Sequence, residues 1–541
     1  MIRPHHFFIG VLFALVASLG AVDSASASVT KPLPTELAQT TSGPIYGSVT
    51  TDAAQPIHIF KGIPYGADTA KRRFQPPLPP TPWTEPLDCL AFGPMAPQPA
   101  GARNSTTPST SDSSRIESEN CLRLNVWTPA LRDGKKRPVL VYFHGGAYNG
   151  GSVNDDLYDG TRLCRRGDVV VVTVNHRLNG FGYLFLGDIG GPAYRDSGNA
   201  GQLDLILALK WVRDNIAEFG GDPGCVTIFG QSGGGAKCAT LMAMPAARGL
   251  FHRVWTMSGQ QITGRVRANA NATARAFLEK LSLTPDRLDE LNTLPLEKLR
   301  EAMRGGTWTP VVDGSALPRD PFSPDASPLS ADIPMVMGNT HDETRNLIGS
   351  SDPALFALTW DALPAQLTKH VAQFLGSLTP AEIISDYRRL YPDYSPTDVF
   401  FAATTAARSW KSMVVQTNAR AAQPNASLWV YYLHWPSPVD GGKWRTPHTL
   451  DIPFVFDNLA QDRLTAPVAS DIQSLADRMS DALIAFARTG NPQTPALPAW
   501  PKHDLHDRPA MIFDKTSHIE NDPRGAERIL FAPAPYIQPG T

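Results

Sequence analysis

The sequence predicts an α/β fold in which a large, mostly parallel β-sheet carries helices on both faces. Through the middle of the chain, short apolar runs of strand length alternate with segments of helical periodicity. Residues Val169–Val174 comprise five valines and one threonine, the continuous apolar run expected of a strand covered on both sides. Such alternation indicates βαβ units and therefore parallel pairing of the strands.

The individual elements can be placed in chain order. Strands are expected at Val139–Phe143, Val169–Val174, Val226–Phe229, Val254–Met257, Pro334–Val336 and Trp429–Tyr432. Helices are expected at Leu157–Arg166, Leu203–Phe219 and Gly234–Met244. Residues 265–330 and 345–425 are interpreted as helical and loop insertions around the sheet, and no internal repeat is found.

Composition limits the classes of function. Of 541 residues 42% are apolar and 18% charged, which is a globular balance. The formal net charge is −2, so the chain lacks the excess of basic residues that neutralising nucleic-acid phosphates requires, and nucleic acid is not expected as a partner. No charge run or long Gly/Ser tract divides the sequence, which predicts a single domain over residues 28–541.

Residues 1–27 resemble a secretory signal peptide. Arg3 precedes the apolar run Phe7–Val22, and Ala25-Ser26-Ala27 forms an A-x-A cleavage site before Ser28. The apolar run is short for a membrane span of about 20 residues and has no stop-transfer flank. No later segment reaches that length. The mature protein is therefore expected to be secreted or periplasmic, without stable membrane insertion.

Gly230-Gln231-Ser232-Gly233-Gly234 lies between a predicted strand and a predicted helix. A serine in that position makes a very tight turn, and the glycines on either side leave room for it. The turn would project the hydroxyl above the carboxyl edge of the sheet, beside N–H groups at a helix N-terminus. The alternative is a merely flexible glycine loop, which the strand–helix context disfavours. Ser232 is therefore the candidate nucleophile.

A second glycine motif follows the strand that ends at Phe143. In His144-Gly145-Gly146-Ala147 the glycines let backbone N–H groups approach a substrate oxygen, as in the HGGG-type loop of lipases and esterases. Gly145, Gly146 and Gly233 are predicted to donate these N–H groups to the oxyanion. For His144 a structural role in positioning the loop is preferred over a catalytic one.

The motifs together resemble the type-B carboxylesterase family of the α/β-hydrolase fold, which includes the cholinesterases. The matching segments run along nearly all of the mature chain: residues 60–65, 73–74, 119–126, 175–178, 211–216, 219–223, 249–253, 310–314 and 451–456. They are far more specific than a single G-x-S-x-G motif. The resemblance implies a serine hydrolase that cleaves carboxylic esters through an acyl-enzyme and needs no cofactor or metal.

The same resemblance implies the other two catalytic residues. The family places its acid in a D-E dipeptide after a strand, which corresponds to Glu343, with Asp342 as the competitor. Its base precedes the I-P-F-V-F segment, which corresponds to His448. The other histidines that follow Glu343 lack this flank. The chain order Ser232, Glu343, His448 is the order that this fold requires.

Several positions depart from the family pattern. Gln231 stands where the family usually has Glu, which removes a negative charge beside the nucleophile. Gly233 replaces a usual Ala, and Ala147 replaces a usual Gly, which is expected to tighten the oxyanion loop. Gly305-Gly306-Thr307 stands where cholinesterases have aromatic residues. These differences predict an acyl pocket wider than acetyl and no selectivity for choline.

The chain has five cysteines, at positions 89, 121, 164, 225 and 238, without zinc-binding spacing. An exported protein favours disulfides, and the odd count leaves at least one thiol free. Cys89 and Cys121 bracket a Pro/Ser/Thr-rich stretch, residues 100–114, and are the preferred pair; the family resemblance also implies this disulfide. The state of the other three cysteines is left open.

Two other functions remain as alternatives. Some relatives of the family are non-catalytic binding proteins, but these usually lose the nucleophile, whereas Ser232, Glu343 and His448 are all present here. A lipase acting on insoluble acyl esters is the other alternative. The expected partner is a small-molecule ester, and the sequence does not determine the oligomeric state.

Overall fold

The computed structural model describes residues 35–52, 54–99 and 116–538. The predicted signal peptide and the Pro/Ser/Thr-rich stretch 100–114 lie outside these ranges. Within them, every strand belongs to one sheet of thirteen strands. The strands are β1 (Thr35–Thr40), β2 (Gly43–Val49), β3 (His58–Pro64), β4 (Leu87–Asp88), β5 (Arg123–Thr128), β6 (Arg137–Phe143), β7 (Val170–Val174), β8 (Gly221–Gln231), β9 (Arg253–Met257), β10 (Met335–Thr340), β11 (Leu428–Leu433), β12 (Pro509–Phe513) and β13 (His518–Asn521).

The spatial order of the sheet is β1-β2-β3-β5-β7-β6-β8-β9-β10-β11-β12-β13, with β4 beside β2. The strands from β7 to β12 pair in parallel. The strands from β1 to β5 and the final pair β12-β13 are antiparallel, apart from the short parallel β2-β4 contact. The predicted mostly parallel sheet is therefore confirmed at its centre, and antiparallel strands extend both margins.

Fourteen α-helices accompany the sheet over the described residues. They are α1 (Thr161–Gly167), α2 (Asn179–Tyr183), α3 (Ala200–Asn215), α4 (Gly233–Leu241), α5 (Arg267–Leu281), α6 (Leu296–Met303), α7 (Thr344–Leu347), α8 (Leu363–Val371), α9 (Pro380–Leu390), α10 (Pro396–Thr405), α11 (Lys411–Ala421), α12 (Asp451–Val455), α13 (Ala469–Thr489) and α14 (Gly525–Leu530). A single π-helical turn, Ala406–Trp410, joins α10 to α11. No helix in this part of the chain combines the length and apolar character of a membrane span.

The central strands are buried on both faces, as the apolar runs predict. Along β6 the side chains alternate between two cores: Val139, Val141 and Phe143 pack on one face of the sheet, and Leu140 and Tyr142 pack on the other. All seven residues of the strand are buried. Since both faces are covered by helices, the carboxyl edge of the parallel strands is where functional side chains can reach a cavity.

The predicted disulfide between Cys89 and Cys121 is wrong: both are buried free thiols. Burial raises the pKa of Cys89 to about 12 even though Arg123 lowers it. Burial also raises the pKa of Cys121, and Asp204 raises it further. Burial lowers the pKa of Arg123, and Cys89 and Cys121 both raise it, so the two thiols share this charged neighbour without being bonded to each other. Bracketing a loop in the sequence does not by itself establish a disulfide.

Candidate active site

Ser232 occupies a sharp bend between β8 and α4. Its φ of 56° and ψ of −126° fall in a region that non-glycine residues rarely adopt. The bend brings backbones so close that side chains cannot be accommodated around it. A Cβ on Gly234 would lie 1.9 Å from the carbonyl oxygen of Phe143, and one on Gly230 would lie 2.4 Å from the carbonyl carbon of Gly234. The glycines are therefore required by close packing, not by flexibility.

Glu343 follows β10 and is fully buried. Its Oε2 accepts a hydrogen bond from Nδ1 of His448. Its Oε1 accepts from Ser258 Oγ at 2.5 Å, from the Thr340 N–H at 3.0 Å and from Asn339 Nδ2 at 3.1 Å. Three donors on neighbouring strand ends thus fix the carboxylate against the imidazole. Ser258, which follows β9, belongs to no motif considered in the sequence.

Asp342, the competitor for the acid position, faces elsewhere. Its carboxylate contacts His341 Nδ1 at 3.0 Å and Arg345 Nε at 3.5 Å. Burial would raise the pKa of Asp342, but His341 and Arg345 lower it well below its usual range. Of the two neighbouring carboxylates, only that of Glu343 reaches His448 in the part of the chain that the structure describes.

The second ring nitrogen of His448 points back toward the bend. Gln231 Nε2 donates to Nε2 of His448 at 3.2 Å. Since an amide nitrogen can only donate, Nε2 of His448 accepts and Nδ1 carries the hydrogen toward Glu343. This is the tautomer that a general base needs. Ser232 Oγ makes no hydrogen bond with any described residue, so Gln231 holds the position that the serine hydroxyl would take.

The predicted oxyanion donors surround the same space. Gly145, Gly146 and Gly233 line one cavity together with Ser232 and His448. Among the described residues no backbone or side-chain acceptor takes the N–H of Gly145 or Gly146. Gly145 lies so close to the bend that a Cβ there would be 3.3 Å from that of Ser232. Five of the six predicted site residues therefore meet at one cavity, with Glu343 behind His448.

Ala147 and Gly233, two of the residues that differ from the family pattern around the nucleophile, are in contact. Ala147 has a φ of 50°, the left-handed conformation that usually favours glycine. Its backbone packs against Gly233, where a Cβ would lie 2.2 Å from the Ala147 carbonyl oxygen. The lack of a side chain at 233 thus lets the backbone of the oxyanion loop lie against the bend. That alanine at 147 tightens the loop stays a prediction.

A buried amine supports the oxyanion loop from below. Lys237, one turn into α4, is fully buried and donates from Nζ to the His144 carbonyl at 2.9 Å. Burial lowers the pKa of Lys237 to about 7. His144 stacks on His176 with ring centroids 4.8 Å apart, and burial followed by the charge of Lys237 lowers the pKa of both histidines. The structural role predicted for His144 agrees with this placement.

The cavity has a volume of about 640 Å³. Its walls come from the oxyanion loop, the bend, α7, the π-helical turn and the segment around Trp308. Most lining side chains are small or carry amides and hydroxyls, and Arg408 on the π-helical turn also reaches it. Ser258, Lys237 and Arg408 belong to no sequence motif. Ser258 and Lys237 contact Glu343 and His144, neighbours that only the folded chain supplies.

The chain is similar to known esterases over most of its length. The model of the carboxylesterase family matches residues 34–528. The chain is 35% identical to the para-nitrobenzyl esterase of Bacillus subtilis over 504 residues, covering 90% of this chain and 98% of that protein. It is 30% identical to the phenmedipham hydrolase of Pseudarthrobacter oxydans, covering 91% of this chain and 97% of that protein.

Solved structures give the same relationship. A crystal structure of a carboxylesterase of Geobacillus stearothermophilus superposes with a TM-score of 0.79 at 36% identity, covering 92% of this chain and 99% of the other. The predicted α/β-hydrolase fold is thereby confirmed. With the family match over nearly the whole chain and the fold in agreement, the protein belongs to the carboxylesterase family and is a carboxylic ester hydrolase.

Proposed function

We propose that the protein hydrolyses esters through a Ser232–His448–Glu343 triad and an acyl-enzyme intermediate. The observation that carries this proposal is the orientation of His448. Glu343 holds Nδ1, which leaves Nε2 as an acceptor beside the strained Ser232 bend and at the cavity wall. The carboxylate of Glu343 and the imidazole of His448 are both buried. A carboxylate that orients an imidazole beside a serine is the arrangement that makes the serine hydroxyl a nucleophile.

In the proposed reaction His448 Nε2 takes the proton of Ser232 Oγ as the oxygen attacks the ester carbonyl. Glu343 stabilises the imidazolium that results. The N–H groups of Gly145, Gly146 and Gly233 receive the negative charge that develops on the carbonyl oxygen. His448 then protonates the leaving alcohol, and in the second half it takes a proton from the water that releases the acid. For Ser232 to reach His448, the Gln231 amide must give up its hydrogen bond to Nε2.

The proposed acyl pocket accepts groups larger than acetyl. The 640 Å³ volume and the small residues around Gly306 and Thr307 support this, although Trp308 also lines the cavity. A second cavity of about 230 Å³ lies on the other side of shared walls, to which Gly306 and Trp308 contribute. We expect kcat/KM for butanoyl and bulkier acyl esters to exceed that for acetyl esters. The opposite order would contradict a wide pocket.

Ester hydrolysis is tested with a panel of 4-nitrophenyl esters of graded acyl length. Replacing Ser232 with alanine is expected to lower kcat by about 10⁶-fold, because the nucleophile is lost. Ser470→Ala, an exposed serine on α13, is the matched control and should retain wild-type kcat. Equal rates for Ser232→Ala and wild type would contradict the triad. A wild-type protein inert to every ester would favour a binding protein, and a rate jump above the solubility limit would favour a lipase.

We also propose that the chain is exported and that residues 1–27 are removed. The charged start, the apolar run and the A-x-A site support this. Amino-terminal sequencing of the protein recovered from its native host should begin at Ser28. A mature protein that retains Met1 would contradict the proposal.

A further inference from the structure

The lining of the active-site cavity includes one cationic side chain and no carboxylate. None of its lining residues is an aspartate or glutamate, and Arg408 is the only lysine or arginine among those described. Gln231 is one reason why the lining has no carboxylate, since the family usually has a glutamate at this position. The charge of the lining residues is therefore suited to an anion and unsuited to a cation.

Arg408 has no partner of its own. It lies in the π-helical turn Ala406–Trp410 and is partly buried, but no described residue accepts a hydrogen bond from its guanidinium or pairs with it. Burial lowers the pKa of Arg408, and the charge of Glu343, which lies behind the cavity wall, raises it. Glu343 is already engaged by His448 and three other donors.

Two buried arginines elsewhere in the molecule have acceptors within the protein, although Nε of Arg420 is left without one. Arg177 donates to both carboxylate oxygens of Asp204, at 2.8 and 2.6 Å. Arg420 donates to several backbone carbonyls, including that of Ser330 at 3.0 Å. An arginine has five N–H donors and keeps its charge, so leaving it partly desolvated and unpaired is costly. The guanidinium of Arg408 thus lies at the cavity with no acceptor for its N–H groups among the described residues.

The surroundings of Arg408 are suited to a carboxylate. Ser409 and Ser412, which follow it in the sequence, also line the cavity, and so does Gln260. The Ser412 hydroxyl donates to the Arg408 carbonyl at 3.0 Å, which fixes the turn. A guanidinium binds a carboxylate through two parallel hydrogen bonds, a geometry that a neutral ester group does not reproduce.

We propose that Arg408 binds a free carboxylate of the substrate, so that the preferred esters are those whose acid or alcohol part carries a second, unesterified carboxyl group. This inference rests on the proposed ester hydrolysis at Ser232 and specifies its substrate class. Half-esters of dicarboxylic acids and esters of hydroxy acids both belong to the class, because each presents an ester carbonyl and a carboxylate on one small molecule.

The kinetic test compares each anionic ester with its neutral methyl ester. For the acid part the pair is mono-4-nitrophenyl glutarate and methyl 4-nitrophenyl glutarate; for the alcohol part it is 4-acetoxybenzoate and methyl 4-acetoxybenzoate. We expect the wild type to show a higher kcat/KM for the anionic member of at least one pair. Arg408→Gln should reduce that ratio by roughly 10-fold to 100-fold, the worth of hydrogen bonds to a charged group. Arg408→Lys should keep part of it, since the charge remains without the second hydrogen bond.

Arg213→Gln is the matched control, because Arg213 is exposed on α3 and should leave the ratio unchanged. A ratio that is the same in wild type and Arg408→Gln, for both pairs, would overturn the inference while leaving ester hydrolysis intact.

A binding measurement separates the two proposals. Monomethyl glutarate is titrated by calorimetry into Ser232→Ala and into Ser232→Ala/Arg408→Gln, neither of which needs to turn over. We expect roughly 10-fold weaker binding in the double variant. Equal binding would overturn the role of Arg408 even if no ester were hydrolysed. If the wild type hydrolysed no ester but the two variants still differed in their affinity for monomethyl glutarate, the proposed function would be refuted and the role of Arg408 would stand.

Discussion

Two fully buried ionisable side chains flank the Ser232 bend, and they are stabilised in opposite ways. Glu343 lies on one side, where the ends of neighbouring strands supply three donors besides His448. Lys237 lies on the other side, beneath the oxyanion loop, and has no acidic partner among the described residues. Its single hydrogen bond runs to the His144 carbonyl, and burial lowers its pKa to about 7.

The different surroundings of Glu343 and Lys237 correspond to different requirements on the two side chains. A carboxylate that stabilises an imidazolium needs to stay fixed and accessible to one ring nitrogen, and hydrogen bonds from Ser258, Thr340 and Asn339 provide this. The amine needs only to hold a backbone carbonyl, which either of its protonation states can do. Four substitutions test this contrast.

Glu343→Gln should have the largest effect. The amide would keep the volume of the side chain but would present an N–H group or a weaker acceptor to Nδ1 of His448, which disturbs the tautomer. We expect kcat to fall by about 10⁴-fold, as for the equivalent change in other triads. Asp342→Asn is the control in the adjacent position and should leave kcat within a few-fold. If the two variants behaved in the reverse way, the acid would be Asp342.

Lys237→Met should alter how stability depends on pH. In the unfolded chain Lys237 titrates near 10.5, and in the folded protein near 7, so between these values unfolding takes up a proton and wild-type stability rises with pH. Methionine takes up none. The stability of Lys237→Met relative to wild type should therefore be greatest at pH 6 and smaller at pH 9, by about 3 kcal/mol.

The measurement is denaturant unfolding of both proteins at the two pH values. Loss of the hydrogen bond to His144 affects Lys237→Met equally at both, so it cancels in the difference. A difference in stability that does not change with pH would show that Lys237 titrates normally and that the contrast with Glu343 is mistaken.

Ser258→Ala removes one of the three donors that hold the Glu343 carboxylate. The remaining two keep the carboxylate in place, so we expect kcat to fall by about 10-fold, the worth of one hydrogen bond to a charged group. KM should change little because Ser258 does not line the cavity. An unchanged kcat would show that Asn339 and Thr340 suffice to position Glu343.

Gln231→Glu should have the smallest effect. It places a negative charge 3.2 Å from Nε2 of His448 if the side chain keeps its position. The charge stabilises the protonated imidazole, so the acidic limb of the kcat/KM profile should move to higher pH by about one unit. Gln231→Met, which is similar in volume and uncharged, is the control and should not move the limb upward. If the acidic limb of the kcat/KM profile did not move in Gln231→Glu, the charge at position 231 would have no effect on His448.

Local patterns were sufficient for the centre of the fold. Apolar runs predicted the strands that became β6, β7, β8, β9, β10 and β11, and glycine spacing predicted the bend at Ser232. The antiparallel margins were not predicted, because strands such as β1 and β13 are short and partly exposed and lack a continuous apolar run. The helical character of the two insertions was predicted, but their packing was not.

The site shows the same limit. The nucleophile and its flanking glycines are contiguous in the sequence, so their chemistry is visible there. The close backbone contact between Ala147 and Gly233 is not visible, since the two positions are 86 residues apart and meet only in the folded chain. Likewise, Ser258 and Lys237 hydrogen-bond to Glu343 and His144, which are distant from them in the sequence. The predicted disulfide was not found, because two cysteines that bracket a loop are not thereby bonded.

The central claim is that Ser232, among all serines of the chain, is made nucleophilic by its fold. The most direct measurement is to treat the purified protein with a fluorophosphonate and to locate the adduct by peptide mass spectrometry. We expect one equivalent of label on the peptide that contains Ser232, and none in Ser232→Ala or after denaturation. Stoichiometric labelling at another residue, or no labelling of the folded wild type, would contradict the account.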